Sequence, residues 1–175
     1  MATWAAFERQ APDLASVAAM LWPGVHALHR GESPTTPQPW FDVAYLATVR
    51  PDGAPRLHPF CPILAAGSLY AAIPHASPKG NDLRRDPRCV IHATPGPEDD
   101  ELCIRALARE VSTDVHARAA VVAIGAASEI GGMVETMTYD PLFEFDLVRV
   151  DVARWLAIGQ PGTRAERKRW SPGPT

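Results

Sequence analysis

Apolar residues alternate with polar ones, or run together, over three stretches of strand length in the middle of the chain. These stretches are residues 44–50, 55–64 and 69–75, and turn signals separate them. Pro51-Asp52-Gly53 fits a hairpin turn in which the glycine takes a positive φ, and the second turn centres on Ala66-Gly67. The pattern predicts an antiparallel meander of three strands.

Further strand patterns follow the meander at residues 88–94, 102–111 and 142–152. Between the last two, Ser112-Thr113-Asp114 is an N-cap cluster ahead of an alanine-rich helix that we expect to end at Gly125. The predicted architecture is therefore mainly β, with helices between some of the strands.

Residues 3–22 have helical spacing, with a break at Pro12. We expect Pro23-Gly24 to end this helical part. His26 and His29 could share one side of a helical turn, but no nearby carboxylate or thiol completes a metal site. They are therefore predicted to be solvated surface histidines.

The charges of the chain almost balance. It has 175 residues with 17 basic and 20 acidic side chains, a formal net charge of −3 and 46% hydrophobic residues. This balance offers no general attraction to nucleic acid or to an anionic membrane, so an anion site would have to be local. The N-terminus has Glu8 and Asp13 where a secretory leader would be basic and then apolar, so we expect a cytoplasmic protein.

The hairpin turns also predict which residues face each other, because partner numbers in a hairpin have a constant sum. Thr48 should lie near Arg56, and His58 should lie opposite His75 if the second loop has two residues. One face of the sheet would then gather these four side chains together with Ile73.

A local anion site is predicted where the third strand leads into a short helix. Ser77 is placed as an N-cap, Pro78 as the first helical residue and Lys79 within the first turn. Free N–H groups at the helix start, a hydroxyl and an ammonium can converge on a phosphate, and Arg56 could approach from the neighbouring strand.

The same residues have simpler interpretations. Lys79 could be a surface lysine, and Arg56 could pair with a carboxylate. His58 and His75 could contact a ring system or bond neighbouring backbone groups, and without a third ligand they do not predict a metal site. Thr48 is either a ring-contacting hydroxyl or an ordinary β-branched strand residue.

Three stretches together resemble the pyridoxamine 5′-phosphate oxidase-like flavoproteins. They are LATVRPDGAPRLHPF (46–60), GSLY (67–70) and SPKGNDLRRDPR (77–88). The resemblance implies a split β-barrel of the α+β class, with six antiparallel strands in Greek-key order and flanking helices. It also suggests a single domain with an N-terminal helix and Pro-rich loop (1–40), a barrel (41–158) and a tail (159–175).

The resemblance further implies a homodimer that binds flavin mononucleotide (FMN) between its subunits. The cofactor-binding residues it implies lie on the second strand, the third strand and the helix start, and the predicted sheet face adds Thr48 and His75 as further candidates. The implied residues are Arg56, Leu57, His58, Pro59, Ala72, Ile73, Ser77 and Lys79. Related members use a deazaflavin coenzyme or haem instead. The oxidase of this family holds its substrate with a lysine and with a C-terminal Arg/His pattern. Neither is present here, so oxidation of pyridoxamine 5′-phosphate is not expected.

The sequence thus predicts an FMN-dependent oxidoreductase acting on an unidentified small molecule, with no catalytic residue assigned. One alternative is a protein that binds flavin, deazaflavin or haem without catalysis. Another is a dimerisation module without a ligand. The tail, which contains four basic residues and Trp170, would be flexible on its own, although the tryptophan suggests that it packs against a surface, such as a second subunit.

Overall fold

The structure, a computed structural model, describes residues 1–31, 42–94, 100–128, 132–155 and 165–173. Within these residues the chain forms six helices and eight strands. The helices are α1 (Trp4–Gln10), α2 (Pro12–Leu21), α3 (Pro23–His29), α4 (Pro78–Arg85), α5 (Val115–Ala127) and α6 (Met133–Tyr139). The strands are β1 (Ala44–Val49), β2 (Pro55–Phe60), β3 (Ile63–Ala65), β4 (Ser68–Ala72), β5 (Arg88–Ala93), β6 (Glu101–Glu110), β7 (Leu142–Trp155) and β8 (Ala165–Trp170).

All strands belong to one antiparallel sheet with the order β2-β1-β5-β6-β7-β4-β3, and β8 adds to β7. Strands β2 and β3 lie at opposite ends of this order, yet only Cys61 and Pro62 separate them in the chain. The sheet must therefore curl until its two ends approach each other. The predicted α+β class with an antiparallel, barrel-like sheet is confirmed.

The described strands number eight rather than the predicted six, for two reasons. The stretch 55–64 was expected to be one strand, but it divides at Pro62, which cannot donate a ladder hydrogen bond. The stretch 165–170 was expected to be part of a flexible tail, but it forms β8. Trp170 is buried in the chain's own core, where its ring lies 5.3 Å from that of Phe7.

Both predicted turns are present. Thr48 pairs with Arg56 across the first hairpin, and Gly53 has the expected positive φ of 82°. In the β3–β4 hairpin, Ala66 and Gly67 form a two-residue loop with φ values of 47° and 75°. Positive φ at both positions is the conformation that matches the twist of the flanking strands.

The core fills the inside of the curled sheet and continues beneath the N-terminal helices. The strands contribute apolar side chains to this core, among them Leu46, Phe60, Ile91 and Phe145. The rings of Phe60 and Phe145 lie 6.1 Å apart. Trp4 and Trp22 stack at 5.8 Å within the same cluster. A second, smaller cluster joins α5 and α6 to β3 and β4 through Ile63, Tyr70, Val121 and Met137.

Three local predictions are wrong. Pro23 begins α3 rather than ending the helical part, because proline suits the first helical position. His26 is only 4% exposed, since α3 packs it against the ring of Trp4 at 5.7 Å. Helix α5 continues two residues past Gly125, where a Cβ atom would lie 2.6 Å from Met137 Sδ. Gly125 therefore allows close packing of α6 and does not end the helix.

Candidate functional site

Helix α4 is the element that organises the predicted site. Ser77 has the extended backbone of an N-cap, Pro78 takes the first helical position, and the Asp86-Pro87 sequence stops the helix. Gly80 and Leu83 are buried, and a Cβ atom on Gly80 would lie 3.3 Å from Ile73 Cγ2. The small residue thus brings the start of α4 close to the end of β4.

A buried carboxylate ties α4 to the first hairpin. Asp82 is 2% exposed and accepts hydrogen bonds from Thr48 Oγ1 at 2.9 Å, Arg56 Nε at 2.6 Å and Arg85 Nη1 at 3.4 Å. Burial alone would raise the pKa of Asp82, but the hydrogen bonds from Arg56 and Thr48 outweigh it and hold the pKa below its ordinary value. The Arg56 side chain therefore has a carboxylate partner, which is the simpler of its two sequence interpretations.

Lys79 lies on the side of α4 that faces β2. Its Nζ donates to the carbonyl oxygen of Pro59 at 3.0 Å, and burial lowers the pKa of its ammonium. The side chain is about half-buried and forms no ion pair with any residue in the described parts of the chain. A partly desolvated cation without a carboxylate partner is a strong attractor for an anion.

Among the described residues, no strand pairs with the edge of β2 beside Lys79, and we refer to this as the open edge of β2. Arg50 N donates to Ala54 O at 2.9 Å, and hydrogen-bonded pairs alternate along an antiparallel ladder. The backbone groups of Pro55, Leu57 and Pro59 therefore point away from β1, which agrees with the contact between Lys79 and the Pro59 carbonyl. Of these three residues only Leu57 carries an N–H, so the edge presents one isolated donor between two prolines.

The other predicted residues of the strands lie either on the first hairpin or at the end of β4. Thr48, Arg56 and His58 share the core-side face of the first hairpin, as predicted. Thr48 is 2% exposed and its hydroxyl is taken up by Asp82. Ala72 ends β4 half-exposed, and Ile73 after it is fully buried.

The predicted pairing of His58 with His75 is wrong. The second loop does have two residues, but β4 pairs with β3 and β7 and never with β2. His75 lies in the exposed turn before α4, close enough to Glu110 to lower the pKa of that carboxyl as a minor cause after Arg84. The two imidazoles are therefore on different parts of the site.

Lys79 and the β2 residue Arg56 have different hydrogen-bond partners. Pro59, which Lys79 contacts, is three residues along the strand from Arg56, a separation of about 10 Å at the usual rise of a strand. Lys79 therefore approaches β2 at Pro59, whereas Arg56, which was expected to approach the same anion, is engaged by Asp82.

Sequence reasoning missed Asp82 and Cys61. Asp82 precedes the buried Leu83 and follows Lys79 by three residues. Its position on the inner side of a short helix was the sequence signal that could have predicted a buried carboxylate. Cys61 is a free cysteine and is only half-buried. Burial raises the pKa of its thiol, and Lys79 acts in the opposite sense. No sequence pattern marked it as a neighbour of Lys79.

Within the parts of the chain that the structure describes, no helix is both long and apolar enough to cross a bilayer. Over the same residues, no three His, Cys, Asp or Glu side chains are grouped so that they could hold a metal ion.

No family model matches the chain, and no curated protein matches it significantly. Solved structures do. A heme binding protein from Mycobacterium smegmatis has a TM-score of 0.55 and 22% identity, over 73% of this chain and 52% of that one. The chain thus spans about half the length of that protein.

Two further similar structures are covered over most of their length. HutZ, the heme storage protein from Vibrio cholerae, has a TM-score of 0.53 and 15% identity, over 83% of this chain and 94% of that one. A protein named as a candidate pyridoxamine 5′-phosphate oxidase, from Listeria innocua, has a TM-score of 0.51 and 17% identity, over 63% and 87% of the two chains.

Identities at this level show a common fold and nothing finer. The curled antiparallel sheet and these likenesses together show that the chain has the split-barrel fold of the pyridoxamine 5′-phosphate oxidase-like proteins.

Proposed function

We propose that the protein binds FMN beside the start of α4 and uses it for the oxidation or reduction of a small molecule. The observation that carries this proposal is Lys79, a half-buried cation that has no ion-pair partner in the described residues and lies against the open edge of β2. Proteins that share the fold include heme-binding ones, so the fold alone leaves the coenzyme undetermined.

The residues at the start of α4 fit a phosphate. Lys79 supplies a cation, and the Ser77 hydroxyl makes no capping hydrogen bond within the helix. Pro78 has no N–H, which leaves the Lys79 amide among the free donors of the first turn. The positive end of the helix dipole adds to this attraction. In this proposal Arg56 does not bind the phosphate, since Asp82 engages it, and instead positions β2.

The open edge of β2 fits the polar rim of a flavin ring. The main chain of Arg56, Leu57, His58 and Pro59 would run along the ring, and the Leu57 N–H is its free donor. Ala72 and Ile73 would lie near the ring at the end of β4, and His75 beside it in the following turn. Bound FMN would supply the hydride or electron transfer, while the chain orients the ring and shapes the substrate pocket.

A homodimer is proposed because the outer face of the sheet is apolar where it adjoins β2. Leu57, Tyr45, Leu107 and Val148 are 63%, 41%, 40% and 45% exposed. Leu107 and Val148 line a shallow, mainly apolar groove of about 620 Å³ together with Ala47 and Val90, and Arg88 and Arg105 also border it. A second copy of the chain would cover this surface, as the resemblance implies, and could enclose a coenzyme bound at the edge of β2.

An absorbance spectrum of the purified protein and an FMN titration test the proposal. Lys79→Ala should weaken FMN binding about tenfold or more, because a charge-assisted contact with the phosphate is lost. Lys168→Ala removes the only other lysine in the sequence and is the matched control, with an expected affinity equal to that of the unmodified protein. Equal FMN binding by the Lys79 and Lys168 variants, or no binding by any protein, contradicts the proposal.

A protein that binds haem or a deazaflavin without catalysis is the second candidate. It is favoured by the similar structures described as heme binding and heme storage proteins, and by the exposed imidazole of His75. A Soret band that appears on haem addition and is lost in His75→Ala would support haem over FMN. If a flavin binds instead, its reduction by NAD(P)H and reoxidation by an acceptor would distinguish an enzyme from a storage protein.

A further inference from the structure

A second, charged groove lies on the outer face of the sheet, across strands β5 to β8. Its volume is about 410 Å³, and its lining includes Arg105, Arg149, Arg167 and Arg169 together with Glu101 and Asp151. We call it the arginine groove. It is separate from the α4 site, because β1 and β5 lie between β2 and β6 in the sheet. At the usual strand spacing, β2 and β6 are about 14 Å apart.

The strand register places like charges directly opposite each other in this groove. Arg105 on β6 is the cross-strand partner of Arg149 on β7. Directly paired residues of an antiparallel ladder have Cβ atoms about 5 Å apart, and like charges at that position are destabilising. An anion bound between the two guanidinium groups would attract both of them and so offset their mutual repulsion.

The carboxylates of the groove neutralise only part of its charge. Asp151 accepts from Arg149 Nε at 2.5 Å and from Arg169 Nε at 2.9 Å, so a single negative charge serves two arginines. Arg105 and Arg167 form no ion pair with the described residues. Lys168 also lines the groove, so five cations against Asp151 and Glu101 leave a local formal charge of +3 (5 − 2), although the whole chain has a net charge of −3.

We propose that the arginine groove binds a small molecule through an oxyanion, either a phosphate ester or a carboxylate. The planar guanidinium fork matches both groups with paired hydrogen bonds, and the volume is sufficient for a small metabolite. Arg105 and Arg167 are the primary contacts, because the other two arginines already share Asp151. This site does not depend on FMN binding at α4.

Isothermal titration of the full chain with inorganic pyrophosphate, and separately with citrate, at matched ionic strength tests the proposal. Both titrations use the Lys79→Ala protein, which removes the proposed phosphate contact at α4. Saturable binding is expected, with an affinity that falls about tenfold or more in Arg105→Gln and in Arg167→Gln. Arg9→Gln, which removes an exposed arginine of α1, should bind like the parent protein.

Binding of pyrophosphate alone identifies a phosphate ester as the ligand class, binding of citrate alone identifies a carboxylate, and equal binding of both supports a general oxyanion groove. The proposal is overturned if neither ion binds saturably, or if the Arg105 and Arg167 variants bind as well as the Arg9 variant. It is also overturned if these variants only change the oligomeric state, because the arginines would then contact a protein partner. Circular dichroism and melting temperature show whether each variant is folded.

Discussion

Burial changes the chemistry of single side chains in this protein, and His26 is the clearest case. Its ring is 4% exposed and lies 5.7 Å from that of Trp4. Burial, with smaller contributions from the charges of Arg30 and His29, lowers the pKa of His26 to about 4. Glu8 lies 4.0 Å from Nδ1, which does not compensate for the loss of hydration. His26 is therefore neutral at physiological pH.

The stability of the protein should consequently fall in mild acid. Between pH 6.5, the ordinary pKa, and pH 4, the unfolded state binds a proton at His26 that the folded state does not bind. The free energy of unfolding should therefore decrease as the pH is lowered through this window, by up to about 3 kcal/mol from this group.

Urea unfolding at pH 7, 6, 5 and 4 would measure this decrease. In His26→Gln the contribution of this group should vanish, so the pH dependence becomes shallower, whatever the stability of the variant at pH 7. His116→Gln, which removes an exposed histidine of α5 that does not contribute to the His26 shift, is the control and should keep the slope of the unmodified protein. Parallel curves for the unmodified protein and His26→Gln would show that another group is responsible.

The position of α4 against β1 and β2 is determined by a contact between elements. Asp82 on α4 binds Thr48 on β1 and Arg56 on β2, and the Arg85 guanidinium also donates to the Val49 carbonyl at the end of β1. Lys79, at the start of the same helix, contacts Pro59 on β2. The Asp82 network thus holds the helix whose first turn forms the proposed phosphate site.

Asp82→Asn should destabilise the protein by about 3 kcal/mol, because it leaves the Arg56 charge without its buried partner. Chemical unfolding measures this loss. Asp86→Asn removes a carboxylate at the exposed end of the same helix and should have little effect. If Asp82→Asn folds, its FMN affinity should also fall, because the start of α4 is no longer fixed. Equal stability of the two variants would contradict this role of Asp82.

At the scale of the whole molecule, the sheet has two different outer surfaces. The part near β2 and β1 is apolar, and the part near β7 and β8 is the arginine groove. The buried N-terminal helices and Trp170 close the opposite, inner side of the sheet. A second copy of the chain is therefore expected to dock on the apolar part of the outer face.

Ala47→Glu should convert the proposed dimer to a monomer, because it would place a charge between Leu57 and Val90 on this apolar surface. Analytical ultracentrifugation across a concentration series measures the change. Val115→Glu is the matched control, because Val115 is 71% exposed on α5 and lies outside the apolar groove. A monomeric unmodified protein, or an Ala47→Glu variant that remains dimeric, would exclude this interface.

The proposed FMN site could be predicted in its local parts only. Ser77, Pro78 and Lys79 begin a helix because of their own backbone preferences, and Thr48 faces Arg56 because one short hairpin joins them. The partner of Arg56 could not be identified in the same way. Asp82 is 26 residues away, and the choice between a phosphate and a carboxylate partner depends on which side of α4 is buried. The division of the chain into domains stays a prediction.

By itself, the sequence determined the turns at Gly53 and Ala66-Gly67, the start of α4 and the strand segments that the turns connect, because each depends on residues close together in the chain. Only the tertiary structure decided that β2 and β3 lie at opposite ends of the sheet, that His26 is buried and that Trp170 packs in the chain's own core. These features arise from contacts between distant segments, and the free energy gained by burying apolar surface depends on the assembled fold rather than on local pattern.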